Sequence, residues 1–332
     1  MIPTVLQFLG STYIYCFNFF DSSSSIIHIT FTLTFTHTVA LCYSLDRISQ
    51  PLPPLDGQYD PRFYPATKGQ GVHIYVLDTG VDPTHPAFAS RISTAADCTL
   101  PNATACVTTT HITDENGHGT HVSGLALGEC VGVAPGATLY PVKVLNPDGT
   151  GSFSTIIKGL QWVVRDVEGS KNLTHRPVPA VVLLSLGGDR SKSMDDAVTE
   201  TVQGAGIPVV VAAGNGYGAD ACTTSPSGAP AALVVGATDR SDKVAPFSDA
   251  GPCVDVWAPG TGILSAWVGG GEKVLQGTSQ AAPQVAGALA LALSQQVAGG
   301  GGGGRDGGQA VKDLLSHVSV LKDTTRGGLL QV

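Results

Sequence analysis

Four short apolar runs rich in β-branched residues punctuate the chain, at 72–77, 180–186, 207–213 and 232–237. Uninterrupted runs of this length, bounded by turn residues, predict strands buried on both faces, as in a parallel sheet. Between them the period changes. Ile156, Ile157, Leu160, Val163, Val164 and Val167 recur at helical spacing and predict a helix over 153–167. A second is predicted over 193–205, bounded by Gly206 and Pro208. Strand alternating with helix predicts a doubly wound α/β fold, a mostly parallel central sheet with helices on both faces. Ligands of such folds sit beyond the carboxyl ends of the strands, so the residues there are the ones to inspect.

The first 44 residues do not share this pattern. They hold a single charged residue, Asp21, and the first Lys or Arg is Arg47, so the basic start of a secretory signal is missing. Thr recurs at alternate positions from Thr30 to Thr38, a strand-like period unlike a membrane-spanning helix. Two readings stay open for 1–44, a degraded signal segment or sequence foreign to the folded domain. The domain itself is expected over 45–332, with the glycine-rich stretch 299–308 as a flexible linker.

Composition narrows the partners. Across 332 residues, 18 Lys and Arg stand against 26 Asp and Glu, a net charge of −8 with no basic cluster, which argues against nucleic acid. Neither a membrane partner nor an obligate oligomer is implied, and a monomer is expected. The seven cysteines (Cys16, Cys42, Cys98, Cys106, Cys130, Cys222 and Cys253) contain no CxxC pair, which leaves a zinc knuckle unsupported. Two sequons begin at Asn102 and Asn172; together with the cysteines they point to an extracellular or secretory/vacuolar compartment.

Three strand-end or helix-start segments carry chemistry: VLDTG at 76–80, NGHGTH at 116–121 and GTSQAAP at 277–283. They supply an acid, Asp78, an imidazole, His118, and a hydroxyl, Ser279. A serine hydroxyl is a weak nucleophile without an adjacent base, and that base needs a third group to fix its tautomer. Gly117 and Gly119 would let backbone or substrate approach the His118 ring. Ser279 precedes an apolar run and so sits near a helix amino end, which favours developing negative charge. Singly, each has an ordinary explanation as a turn former, a loop residue or a helix cap. A zinc site on His118 and His121 lacks the Glu of HExxH. An esterase of the α/β-hydrolase type would need GxSxG and the chain order Ser, Asp, His.

Taken together and in order, the segments resemble the subtilase family of serine proteases, nearest its proteinase K-like branch. LDRI at 45–48, YPVKVL at 140–145, SLGG at 185–188, AAGN at 212–215, SPSGAP at 225–230 and VDVWAPG at 254–260 extend the resemblance over most of 45–320. It implies a subtilisin-like fold and a serine endopeptidase acting on polypeptides without a catalytic cofactor, with Asp78, His118 and Ser279 as triad. It also implies Asn215 as oxyanion donor beside the Ser279 N–H. Leu186, Gly187 and Gly188, with Ala212, Ala213 and Gly214, would wall a wide uncharged pocket suited to apolar or aromatic side chains. Gly149, Thr150, Gly151 and Ser152 would offer backbone to an extended substrate.

The resemblance further implies a Cys222–Cys253 disulfide and a structural calcium site of Asp255 with the carbonyls of Pro230 and Ala232. For the other cysteines a local Cys98–Cys106 bridge is open, leaving Cys130 free or paired elsewhere. Family members fold with a prosegment that templates and inhibits the enzyme. Residues 1–44 do not resemble one, and the expectation is an incomplete gene product that refolds poorly alone. Gln280 stands where the family commonly has Met, which implies resistance to peroxide. The alternative reading is a subtilase fold working as a catalytically silent binding or regulatory protein.

Overall fold

The computed structural model describes residues 43–49, 67–88, 90–174 and 178–298, with short pieces at 311, 319–320 and 328–329. The segment 1–42 and the linker at 299–308 lie outside the described residues, so the expectations made for them are not addressed. All described residues belong to one compact unit, Thr36–Val332. Its first described element, a buried helix α1 (Tyr43–Ser49), starts two residues ahead of the boundary expected at Leu45. Leu45 and Ile48 enter the main core, and Arg47 grips Asp242 through two hydrogen bonds of 2.6 and 2.9 Å.

The strands in chain order are β1 (His73–Asp78), β2 (Ala95–Asp97), β3 (Val107–Thr109), β4 (Thr138–Lys143), β5 (Ala180–Leu184), β6 (Val209–Ala212), β7 (Leu233–Thr238) and β8 (Val256–Pro259). They form one sheet in the order β8-β7-β6-β5-β1-β4-β2-β3, with the pieces at 319–320 and 328–329 beyond β8. Every pairing from β8 through β2 is parallel. Only β2 with β3, and the pair at the far edge, run antiparallel. The four apolar runs thus became β1, β5, β6 and β7, each buried along nearly its whole length.

Alternation within these strands sends their side chains to opposite faces. Ile74 and Val76 join one core, which also holds Val122, Ala126 and Leu127 of α2 (His118–Leu127). Tyr75 and Leu77 join the other, with those of α3 (Phe153–Thr174) and α4 (Lys192–Gln203). Two antiparallel strands, β9 (Ile263–Trp267) and β10 (Gly271–Leu275), form a separate hairpin. The last long helix, α5 (Thr278–Ala298), runs through the first core. None of the described helices is long and apolar enough to cross a membrane.

The expected helix at 153–167 extends to Thr174 because its polar continuation, Glu168 to Asn172, needs no partner face and stays largely solvated. Cys222 and Cys253 are bridged, with Cα atoms 5.3 Å apart. Cys98 and Cys106 form the local bridge left open above, and Cys130 is also disulfide-bonded rather than free. Both sequon asparagines are exposed, Asn102 within the Cys98–Cys106 loop and Asn172 near the end of α3.

Candidate active site

Asp78 is the last residue of β1, and its side chain is fully buried. Its Oδ1 accepts from the Thr79 N–H at 2.8 Å, while its own carbonyl accepts from Val144 N and Leu145 N just past β4. The carboxylate is therefore held in one orientation. His118 opens α2 and presents Nδ1 to Asp78 Oδ1 at 2.8 Å and Oδ2 at 3.0 Å. An ionised carboxylate only accepts, so Nδ1 carries the proton and Nε2 is left with its lone pair facing outward. Burial pulls the imidazole pKa down, but the charge and hydrogen bond of Asp78, with the charge of Asp114, outweigh it and hold it above the ordinary histidine value.

The glycines flanking His118 serve packing. Gly117 has φ +105°, and a Cβ there would lie 2.5 Å from the Trp267 ring; one on Gly119 would lie 2.2 Å from Gly80 O. They seat α2 against the end of β1 and the hairpin, so of the two approaches expected, by backbone or by substrate, the structure shows the backbone one, from Gly80. Gly117 brings no side chain to the helix start, so Asp114 supplies the missing cap, accepting from the N–H groups of Asn116, Gly117 and Thr120.

Ser279 lies in the first turn of α5, where its N–H has no intrahelical acceptor. Four residues on, Pro283 lacks the N–H that would otherwise bond the Ser279 carbonyl. That carbonyl accepts instead from Ser185 Oγ at 3.1 Å, and Ser279 Oγ donates in return to the Ser185 carbonyl at 3.0 Å. The hydroxyl is thus turned toward the end of β5 and not toward His118, an arrangement common in ligand-free sites. Asn215 follows β6, and its Oδ1 accepts from Thr278 N at 3.0 Å and Thr278 Oγ1 at 3.2 Å. These bonds fix the amide so that its NH₂ is the group left to meet a ligand.

A cavity of about 560 Å³ adjoins His118. One wall is Leu145, Gly149, Thr150 and Gly151, the other Ser185, Leu186, Gly187 and Gly188, with Phe153 and Ile156 at its back. Two groups of residues read separately from the sequence therefore meet across one cleft. Ser152 does not line it; its carbonyl and hydroxyl receive the first N–H groups of α3, making it a helix cap. Ala212, Ala213 and Gly214 also lie outside the lining. Ala212 ends β6 and Ala213 is fully buried, so they support Asn215 from beneath.

The Asp255 carboxylate accepts one hydrogen bond, from Val234 N to Oδ2 at 2.8 Å, and burial pushes its pKa up. Among the described residues no cation pairs with it, and no cluster of three or more His, Cys, Asp or Glu side chains could hold a metal. Four participants escaped the sequence reading, namely Thr79, Asp114, Ser185 and Thr278. Asp114 alone left a trace, as an acidic residue just ahead of a helix start.

Residues 69–325 match the model of the subtilase family, and the chain belongs to that family. It is 45% identical over 253 residues to an extracellular serine proteinase of Thermus sp. (strain Rt41A), a match covering 76% of this chain and 56% of that protein. It is 43% identical over 262 residues to subtilisin-like protease 3 of Arthroderma benhamiae, covering 79% and 61%. A cold adapted subtilisin-like serine proteinase, known from its crystal structure, aligns with a TM-score of 0.74 at 36% identity, over 88% of this chain and 98% of that one. The subtilisin-like α/β fold expected from sequence is borne out. The chain spans little more than half the length of the Thermus and Arthroderma relatives.

Proposed function

We propose that the protein is a serine endopeptidase that cleaves polypeptides through an acyl-enzyme. The observation that carries this reading is the Asp78–His118 pair at 2.8 Å on a cavity also lined by Ser185, to which Ser279 Oγ is bonded, with an oriented Asn215 amide at the same helix start. In the first step Ser279 Oγ turns from the Ser185 carbonyl to His118 Nε2, gives up its proton and attacks the scissile carbonyl. Asp78 keeps Nδ1 protonated and stabilises the imidazolium. Asn215 Nδ2 and the Ser279 N–H receive the oxyanion, and His118 then protonates the leaving amine. Water repeats the sequence in reverse to free the acid.

The cleft walls of glycine and Leu186 suit an extended substrate with an apolar or aromatic side chain. Relatives such as the extracellular serine proteinase of Thermus support an extracellular protein, as do two exposed sequons and the disulfides. A prosegment or protein inhibitor is a further expected partner. Asp255 suits a structural calcium ion. A half-buried carboxylate with raised pKa and one oxygen uncommitted, bonded to Val234 a few residues along the chain from Pro230 and Ala232, offers a hard oxygen donor to which their carbonyls would add for a divalent cation. Chelation should then lower the melting temperature of the wild type and leave Asp255→Asn unmoved.

A fluorophosphonate probe tests the central reading. The wild type should be labelled and Ser279→Ala should not. Label retained by the mutant would assign the nucleophile elsewhere, and an unlabelled wild type would favour the silent binding protein.

A further inference from the structure

We propose that Asp114 is a positioning residue for His118, fixing the place of the imidazole and tuning its basicity with a permanent buried charge. The inference rests on the protease reading above and assigns a role to a group which that mechanism does not use. Asp114 is 8% exposed, and five donors converge on it. Oδ1 accepts from Thr79 Oγ1 at 2.8 Å, Gly117 N at 2.8 Å and Asn116 N at 3.0 Å. Oδ2 accepts from Thr120 N at 2.9 Å and Thr120 Oγ1 at 2.6 Å. Only an ionised carboxylate can accept so many bonds with no proton of its own to place. No Lys, Arg or His is within ion-pair distance of it among the described residues.

Two routes lead from this carboxylate to the imidazole. The first is the backbone itself, because the bonded N–H groups belong to residues 116, 117 and 120, on both sides of His118. The second passes through Thr79, whose Oγ1 donates to Asp114 and accepts from Gly119 N at 2.8 Å, and whose own N–H holds Asp78 Oδ1. Asp114 thereby ties the end of β1 to the start of α2, so the acid and the base of the pair cannot drift apart independently.

The charges around His118 set the direction of the electrostatic effect. Asp78 faces it from β1, and Asp114 from the preceding loop. His121, on its own helix, is kept neutral by burial, which lowers its pKa to about 4. From β4, Lys143 reaches the Thr79 carbonyl and pairs with Glu115 at 2.9 Å, so its charge is largely offset locally. Asp148 across the cavity and Lys273, over the Trp267 ring of the hairpin, are the other charges near this helix start, and Asp114 is the one that joins Asp78 in favouring the imidazolium that forms during proton transfer. Burial works against its ionisation, but the bonds from Thr120, Gly117 and Thr79 outweigh this and keep it anionic.

Asp114→Asn, with Thr79→Val as its partner variant, tests the idea by two readouts. One is the His118 titration followed by NMR in a Ser279→Ala background, and the other is steady-state kinetics in the active enzyme. In Asp114→Asn the His118 pKa should fall, the acid limb of kcat/KM should move to lower pH, and kcat should drop about ten- to hundredfold with KM little changed. Thr79→Val keeps the charge and cuts the link, so kcat should fall while the acid limb stays. A folded Asp114→Asn variant whose His118 pKa does not move overturns the inference, whatever its kcat. If that variant does not fold, a folded Thr79→Val protein with wild-type kcat overturns it equally. A wild type that takes no fluorophosphonate label would instead sink the protease reading, with the NMR comparison still decisive for Asp114.

Discussion

On one face of the sheet, α2 and α5 contribute the small side chains of Ala126, Ala281, Ala282, Ala286 and Ala290 to the core. On the other, α3 and α4 are anchored by Leu160, Trp162, Met194 and Val198, packed over Tyr75 and Leu77. Small side chains bring backbones close and leave little rotational freedom, whereas large ones bury more apolar area per residue. His118 and Ser279 both start helices on the small-residue face. At Gly287 of α5 an added Cβ would lie 2.6 Å from the Ala126 carbonyl. Position at these two helix starts is thus held partly by close backbone contact, while the opposite face is filled by larger side chains.

The difference can be attacked from either side. Asn215→Ala removes a group that acts only in the transition state, so kcat should fall about 10²–10³-fold. Steady-state assays with a peptide substrate would reveal it. Leu160→Ala, on the bulky face, should cost about 2–5 kcal/mol in urea unfolding while the folded fraction keeps its kcat. Gly287→Ala should cost less, about 1–3 kcal/mol by overpacking. It should nevertheless depress kcat, because α5 must shift to admit the methyl. If Leu160→Ala impaired kcat and Gly287→Ala did not, the division of labour would be wrong.

Smaller effects follow from titration and oxidation. His118 must be neutral to act as base, and its pKa lies above the ordinary histidine value. Activity should therefore decline as pH falls through a point above 6.5, while a flat profile down to pH 5, roughly 1.5 units below the usual histidine pKa, would contradict the assignment. Asp114 has the opposite linkage. Its folded pKa is lowered, so its contribution to stability is complete above the unfolded carboxylate pKa and is lost as pH falls through the folded value. The smallest expected effect is none at all. Gln280 is buried beside the nucleophile and has no thioether, so brief exposure to dilute peroxide should leave the rate unchanged, and rapid inactivation traced to this position would refute it.

Four of the parallel strands, β1, β5, β6 and β7, and the three motif segments were legible because each is local. An apolar run such as 207–213, or a Ser opening an apolar helix, shows itself within a dozen residues. The supports of the site were not. Thr79 and Asp114 are 35 positions apart, and Ser185 and Ser279 are 94 apart, so nothing short of the folded sheet brings them together. Ser152 was misjudged for a related reason, since a small polar residue after glycine reads equally as cleft backbone or as helix cap until the helix axis is known. The hairpin β9–β10 was also missed, because β10 is mostly exposed and carries little apolar signal.

Pro283 turns this long-range dependence into a safeguard. By withholding an N–H from Ser279, it leaves a carbonyl that no neighbour along the helix can serve, and Ser185 must arrive from a distant strand to serve it. The setting of Ser279 therefore depends on a bond between residues 94 positions apart, and it is complete only once the sheet that carries Ser185 has assembled. A nascent copy, with its strands still unpaired, would possess every reactive side chain and yet be harmless to its neighbours.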